Sequence, residues 1–230
     1  FSRDGRCIVE QFLEKQSDSS DADGFVSGGK FSCVSFTSQL FDPSVPNPYT
    51  PAAYAMPATL PAWAQTELVS ELQRLADLLG LRDGVFNIET RVATDSKAYI
   101  RESSPRGGGN RLCEMLKYAT AGKTDLVMVA VKAALGEPVG DLSMPVYDGF
   151  WYQQMLHSDH DGVFAGMSYA SDFAASHLAE EQLWIKPGAK VEAFTAANHA
   201  FGSVFLRFDT QTELDAFRAE PSEFMRAKVE

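Results

Sequence analysis

Gly84-Val-Phe-Asn-Ile-Glu89-Thr-Arg-Val92, a polar turn around Asp95-Ser96, then Ala98-Tyr-Ile-Arg-Glu102-Ser-Ser-Pro105-Arg106-Gly-Gly-Gly-Asn110 is the stretch whose reading decides the fold. Apolar and polar residues alternate through both arms, the period-2 signature of paired strands. Phe86, Ile88 and Val92 then share one face and point toward a core, while Asn87 and Glu89 point the other way. A turn of two or four residues centred between Asp95 and Ser96 sets Glu89 opposite Glu102, and Asn87 opposite Ser104. Two carboxylates held directly across a strand pair have Cβ atoms roughly 5 Å apart and repel. A cation between them removes that cost.

The neighbouring residue types narrow the cation. Two carboxylates on rigid strands, with a neutral oxygen from Asn87 or Ser104 beside them, match the hard oxygen donors of magnesium, which is usually shared with nucleotide phosphates. Arg106, fixed just after Pro105, offers a planar fork to a phosphate or carboxylate. Gly107 to Gly109 let backbone amides approach an anion. The plainer alternative is a pair of solvated glutamates on an edge hairpin. The shared register and the Pro-Arg-Gly-Gly-Gly run favour the cation. A glycosidase also uses paired carboxylates, but that chemistry has no role for the arginine and glycines.

Working outward, the chain of 230 residues is long enough for a sizeable core. Its formal net charge of −11 comes with no Lys/Arg cluster, which argues against nucleic-acid or anionic-membrane partners. Cys7, Cys33 and Cys113 show no CxxC spacing and suit a reducing cytoplasm rather than a disulfide framework. No long apolar run or signal peptide is visible. The first residue is Phe1, not methionine, and leads us to expect a chain that begins inside a larger protein.

Residues 6–13 read as a strand and 14–22 as a polar loop. Residues 23–36 read as a hairpin turning at Gly28-Gly29, which supplies the positive φ of such turns. Residues 41–61, with six prolines, read as an ordered extended loop. Pro61 to Leu79 is a helix striped by Leu68, Leu72, Leu75, Leu78 and Leu79 and stopped by Gly80. Helices follow at 111–120 and 125–135, the latter capped by Thr124-Asp125. Strands are expected at 150–156, 162–169, 182–185, 190–196 and 203–208, and a last helix at 212–218. His157-Ser-Asp-His160 reads as a solvated turn rather than a metal cluster. Trp63, Trp151 and Trp184 are expected to pack the core or subdomain seams. Tyr49, Tyr54 and Met56 read as packing residues before substrate contacts, and Lys117 as the better of two solvated lysines for a ligand contact.

With these residues in view, the sequence resembles the C-terminal half of an ATP-grasp ligase, the superfamily of carbamoyl-phosphate synthetases, biotin carboxylases and amino-acid ligases. The family pattern of an acidic strand, then Glu-x-Asn-Pro-Arg and glycines, is matched by Asn87-Ile-Glu89 and Glu102-Ser-Ser104-Pro105-Arg106-Gly-Gly-Gly. Serine replaces asparagine at 104, which weakens a second metal site. Ile8-Val-Glu10-Gln-Phe-Leu13 is similar to the family's hinge, and Tyr118-Ala-Thr-Ala-Gly122 and Ala134-Leu-Gly136 to its punctuation. The likeness is good over residues 5–140.

The resemblance implies an α+β fold: an ATP-grasp C-terminal subdomain with a largely antiparallel sheet flanked by helices, plus a β-rich C-terminal subdomain. It divides the chain into the end of the lid and hinge strand at 1–13, a Mg-ATP subdomain at 14–145 and the β-rich part at 146–230, with the N-terminal domain and lid absent. It implies Glu89, Glu102 and Ser104 as metal ligands, Arg106 as the catalytic phosphate or acyl-phosphate contact, and Glu10, Gln11, Leu13, Gly107 and Gly108 at the nucleotide. ATP and two magnesium ions, with manganese as a substitute, are the implied cofactors. A small carboxylate and a small amine are the implied substrates of a cytoplasmic enzyme that self-associates as a homo-oligomer. The fragment alone is expected to be inactive. The competing readings are a carbamoyl-phosphate-synthetase-like protein and a non-catalytic ATP-grasp-derived binding module.

Overall fold

The structure, a computed structural model, describes residues 4–140 and 142–230; Phe1, the first residues of segment 1–13 and Asp141 lie outside it. Its elements in chain order are β1 (Ser19–Ser27), β2 (Lys30–Phe41), β3 (Pro51–Met56), α1 (Ala62–Leu79), β4 (Gly84–Val92), β5 (Ala98–Ser104), α2 (Leu112–Ala119) and α3 (Leu126–Ala134). They continue with β6 (Phe150–Leu156), β7 (Gly162–Tyr169), α4 (Phe173–His177), β8 (Leu178–Leu183), β9 (Lys190–Val191), β10 (Gly202–Phe208), α5 (Gln211–Ala219), α6 (Pro221–Phe224) and β11 (Met225–Val229). Eight strands form one sheet in the order β5-β4-β1-β2-β3-β6-β10-β8, and β11-β7-β9 form a small second sheet. The described pairings are all antiparallel. The fold class is therefore α+β, a largely antiparallel sheet flanked by helices, as the sequence implies.

Alternation assigns each strand residue to a face. One face is closed by α1, whose Ala64, Leu68 and Leu72 pack on Ala22, Val26, Val34, Phe36, Phe86, Ile88 and Val92. Further along the same face, Ala53, Ala55, Tyr152 and Leu206 pack against Leu214 and Phe217 of α5, Phe173 of α4 and Phe164 of β7. The opposite face is covered by α2 and α3, which set Leu112, Met115, Leu116 and Val129 on Phe25, Tyr54, Met56, Trp151 and Phe205. That cover leaves one stretch of the sheet, around β5, β4 and β1, lined by polar side chains.

Several expectations need correction. Residues 6–13 form no strand; Ile8, Val9 and Phe12 of that segment are exposed. The strand begins instead inside the expected loop 14–22, at Ser19. Its polar residues are buried because β2 and β4 flank β1 on both sides. The proline-rich stretch contains β3, which pairs with both β2 and β6. The strand expected at 182–185 runs from Leu178, the one at 190–196 shrinks to Lys190–Val191, and α4 and β11 had no counterpart in the sequence reading. Trp151 is buried, but Trp63 and Trp184 are about half exposed. His157 is not solvated: its ring is stacked on Phe194 with centroids 4.3 Å apart, and its Nε2 lies 3.0 Å from Asp42 Oδ2.

Candidate functional site

Glu89 lies directly across from Glu102, and Asn87 across from Ser104, the pairing read from the sequence. The route to that register differs. The turn is centred one half-residue earlier than expected, so that Val92 pairs with Ala98 and Thr90 with Ile100. A bulge between Thr90 and Glu89 then leaves Arg101 unpaired and restores the glutamates to opposition. The Arg101 guanidinium turns onto Glu89, Nη1 to Oε2 3.2 Å. The Ser104 hydroxyl donates to Glu102 Oε1 at 3.1 Å. Glu102 is exposed and the Glu89 side chain is about one-third exposed, so the pair opens to solvent.

The pairing of β4 with β1 adds two carboxylates that the sequence reading missed. Asp21 lies opposite Glu89 and Asp23 opposite Asn87, which extends the rows Glu102–Glu89–Asp21–Thr37 and Ser104–Asn87–Asp23–Ser35 across four strands. Asp21 and Asp23 are buried. Burial, reinforced by the neighbouring Asp23 carboxylate, pushes the Asp21 pKa up to about 8, and burial also raises that of Asp23. Asn87 Nδ2 donates to Asp21 Oδ1 at 2.5 Å and to Asp23 Oδ1 at 3.2 Å. With its nitrogen occupied this way, the amide oxygen is the atom left for a ligand. The available signal for Asp21 and Asp23 was the twelve-residue β2, with its own alternation, which demands a partner of matching length beyond the Gly28-Gly29 turn.

The loop after β5 lies on this face. Arg106 is exposed, its Nη1 donating to the Gly107 carbonyl at 2.8 Å. The Gly108 amide donates to Asp23 Oδ1 at 2.7 Å. Asn110 and Arg111 follow in left-handed backbone conformations, φ 52° and 62°, which cost a residue with a side chain roughly 1–2 kcal/mol each. Tertiary contacts hold them there. Asn110 Nδ2 donates to the Tyr54 hydroxyl at 2.8 Å, and the Gln153 amide donates to the Asn110 carbonyl. Arg111 donates to Glu180 Oε1 at 2.6 Å and to Ser203 Oγ at 3.2 Å, and its guanidinium lies 4.7 Å from the centre of the Phe205 ring.

Of the remaining expected residues, Leu13 is brought close. Its carbonyl accepts from Arg91 Nη1 at 2.7 Å, and Arg91 lies two residues beyond Glu89 on the same face of β4. Glu10 and Gln11 are exposed on the segment leading to it. Lys117 is paired with Asp125, the cap of α3, at 2.8 Å. Tyr54 and Met56 are buried in the sheet, whereas Tyr49 is exposed. Among the described residues no cluster of three or more His, Cys, Asp or Glu side chains is arranged to hold a metal, the His157–His160 stretch included. Among them, too, no helix is long and apolar enough to cross a membrane.

The fold of this sheet and its helices is shared with solved structures. Phosphoribosylglycinamide synthetase from Anaerococcus prevotii superposes over 96% of this chain with a TM-score of 0.76 at 14% identity. L-amino acid ligase from Bacillus licheniformis does so over 96% with a TM-score of 0.76 at 18% identity. The chain has the ATP-grasp fold. Another ATP-grasp structure, the Hydrogenobacter thermophilus 2-oxoglutarate carboxylase biotin carboxylase domain in complex with MgADP, covers 92% of the chain with a TM-score of 0.62 at 12% identity. In sequence, carnosine synthase 1 from Gallus gallus is 37% identical over 86 residues, 37% of this chain. No protein-family model matches. The chain spans 55% of the first two ATP-grasp structures and 9% of the carnosine synthase.

Proposed function

We propose that this chain supplies the magnesium and phosphate contacts of an ATP-dependent carboxylate–amine ligase. The observation that carries the reading is the opposition of Glu89 and Glu102 on paired strands, with Asn87 and Ser104 one register step away. The donor set fits magnesium: two carboxylates open to solvent, a neutral amide oxygen and a hydroxyl, all hard oxygens. Glu89, Glu102 and the Asn87 and Ser104 oxygens would hold the magnesium, which when bound would offset charge built up in phosphoryl transfer.

The chain's own residues divide the remaining work. Glu89 and Glu102 fix the position of the cation and thereby of the polyphosphate. Arg106, exposed beside the Gly107–Gly108 backbone, orients the transferring phosphoryl group and the acyl phosphate that follows. Leu13, Glu10 and Gln11 line the adenine end. In the reaction, an oxygen of the acid attacks the γ-phosphorus and ADP leaves. The amine nitrogen then attacks the acyl carbon, phosphate leaves and the amine gives up a proton. The names of the relatives, carnosine synthase 1 and an L-amino acid ligase, support amino-acid-sized acids and amines as substrates. We expect turnover to require residues beyond this chain, which spans 55% of its structural relatives.

One observation favours a second reading. The Ser104 hydroxyl is already bonded to Glu102, which suits a binding module that has lost one metal position. Binding and turnover separate the two. Manganese titrated into the chain and followed by electron paramagnetic resonance is expected to bind with Glu102 intact and to be lost in Glu102→Gln. Equal manganese affinity of the two proteins would sink the site. In the full-length protein, ADP and phosphate release over a matrix of acids and amines decides between ligase and module.

A further inference from the structure

Asp23 has a place in this site that the metal ligands do not explain. Its carboxylate is buried, whereas Glu89 and Glu102 open to solvent. Oδ1 accepts from the Gly108 amide at 2.7 Å and from Asn87 Nδ2 at 3.2 Å, and Oδ2 accepts from the Cys113 thiol at 3.4 Å. Those three donors come from three separate pieces: the loop after Arg106, the metal strand β4, and the first turn of α2. One side chain therefore ties together the parts that must hold a fixed spacing if a cation and a phosphate are to be bound at once.

The sterics point the same way. A Cβ at Gly108 would come within 2.9 Å of Asp23 Oδ1, 2.9 Å of Leu112 Cδ1 and 3.0 Å of Asn87 Nδ2. A Cβ at Gly109 would meet nothing within 4 Å. Of these two glycines, only the one bonded to Asp23 is required by space. The loop is pressed onto the carboxylate, and glycine is what allows that approach.

We infer that Asp23 is a positioning residue: it sets the height of the Arg106–Gly108 loop above the glutamate pair and the rotation of the Asn87 amide beside it. This rests on the metal and phosphate reading proposed above. Leaving buried hydrogen-bond donors without their acceptor costs enough to make the loss visible as about a tenfold change or more.

The test compares wild type with Asp23→Asn, Gly108→Ala and Gly109→Ala, with three readouts. Amide exchange of residue 108 reports the tether directly, manganese-ADP affinity reports the site, and the urea midpoint reports the fold. Asp23→Asn keeps one acceptor oxygen, but in either orientation its NH2 group meets a donor, the Cys113 thiol or the Gly108 and Asn87 N–H groups. It is expected to speed Gly108 exchange and weaken manganese-ADP binding, each about tenfold or more, at a urea midpoint near wild type. Gly108→Ala is expected to weaken binding in the same direction, whereas Gly109→Ala keeps wild-type exchange at Gly108. Unchanged Gly108 exchange and unchanged affinity in Asp23→Asn would overturn the proposal. A purely structural role would lower the urea midpoint while leaving the affinity of the folded protein intact, and that result overturns it as well. Absence of manganese-ADP binding in the wild-type chain would instead overturn the site reading beneath it. Gly108 exchange judges the tether separately from that outcome.

Discussion

Glu89 and Glu102 stand opposite each other because Arg101, the residue just before Glu102, is bulged out of the ladder, and the same Arg101 reaches back to Glu89 at 3.2 Å. The bulge that sets the register thus also supplies the counter-charge for the pair it creates. A cation entering between the glutamates competes with that guanidinium.

Replacing Arg101 with alanine is therefore expected to raise manganese affinity severalfold. The exposed ion pair contributes at most about 1 kcal/mol, so stability should change little. Manganese titration beside thermal unfolding checks both halves. A fall in affinity would show that Arg101 aids the site rather than shielding it.

Neutralising either glutamate separates binding from folding. Glu89→Gln and Glu102→Gln each remove one like-charge neighbour, and Glu89→Gln also removes the Arg101 ion pair, so the metal-free proteins should stay within about 1 kcal/mol of wild type. Manganese binding should fall at least tenfold in each. A larger loss of stability in either variant would mean that these carboxylates hold the fold, not a cation.

Ile88 sits between Asn87 and Glu89 in sequence but on the opposite face, fully buried under α1. Ile88→Ala is expected to cost about 2–5 kcal/mol through lost burial and the cavity left behind. Urea denaturation measures it. Adding Leu68→Ala, in the same cluster, is expected to depart from additivity, as residues packed in one core do.

The Asp42–His157 pair predicts an acid limb of stability. The hydrogen bond from His157, with help from Ser44, lowers the Asp42 pKa from 3.8 to about 2. A carboxylate depressed in the folded state contributes stability above its unfolded pKa, and that contribution is lost as pH falls from about 4 toward 2. Asp42→Asn should remove the limb, flattening urea midpoints across that window while leaving the protein less stable near neutrality. An unchanged acid profile would assign the limb to other groups.

Local chemistry made much of this molecule legible. The Gly28-Gly29 turn, the leucine stripe ended by Gly80 and the alternation in β6, β7 and β10 each announce an element through its own residues. The opposed glutamates were readable because a hairpin carries its partner strand a few residues away. The segment around Ile8 misled for the converse reason. Its apolar residues have strand character, but no strand among the described residues pairs with them, and they lie exposed.

Sequence alone determined the glutamate hairpin, the arginine–glycine loop that follows it and the ATP-grasp fold to which they belong. All of these are carried by short-range spacing. Only the tertiary structure decided that Ser19–Ser27 is a central strand, because a run of serines and aspartates forms one only when sheet neighbours on both sides satisfy its backbone. That same long-range pairing buries Asp21 and Asp23 beside the glutamates and brings Gly108 onto Asp23, contacts spanning 66 and 85 residues of chain between Asn87 and Asp21 and between Gly108 and Asp23. No local pattern encodes such contacts, since their energy exists only once the sheet has assembled.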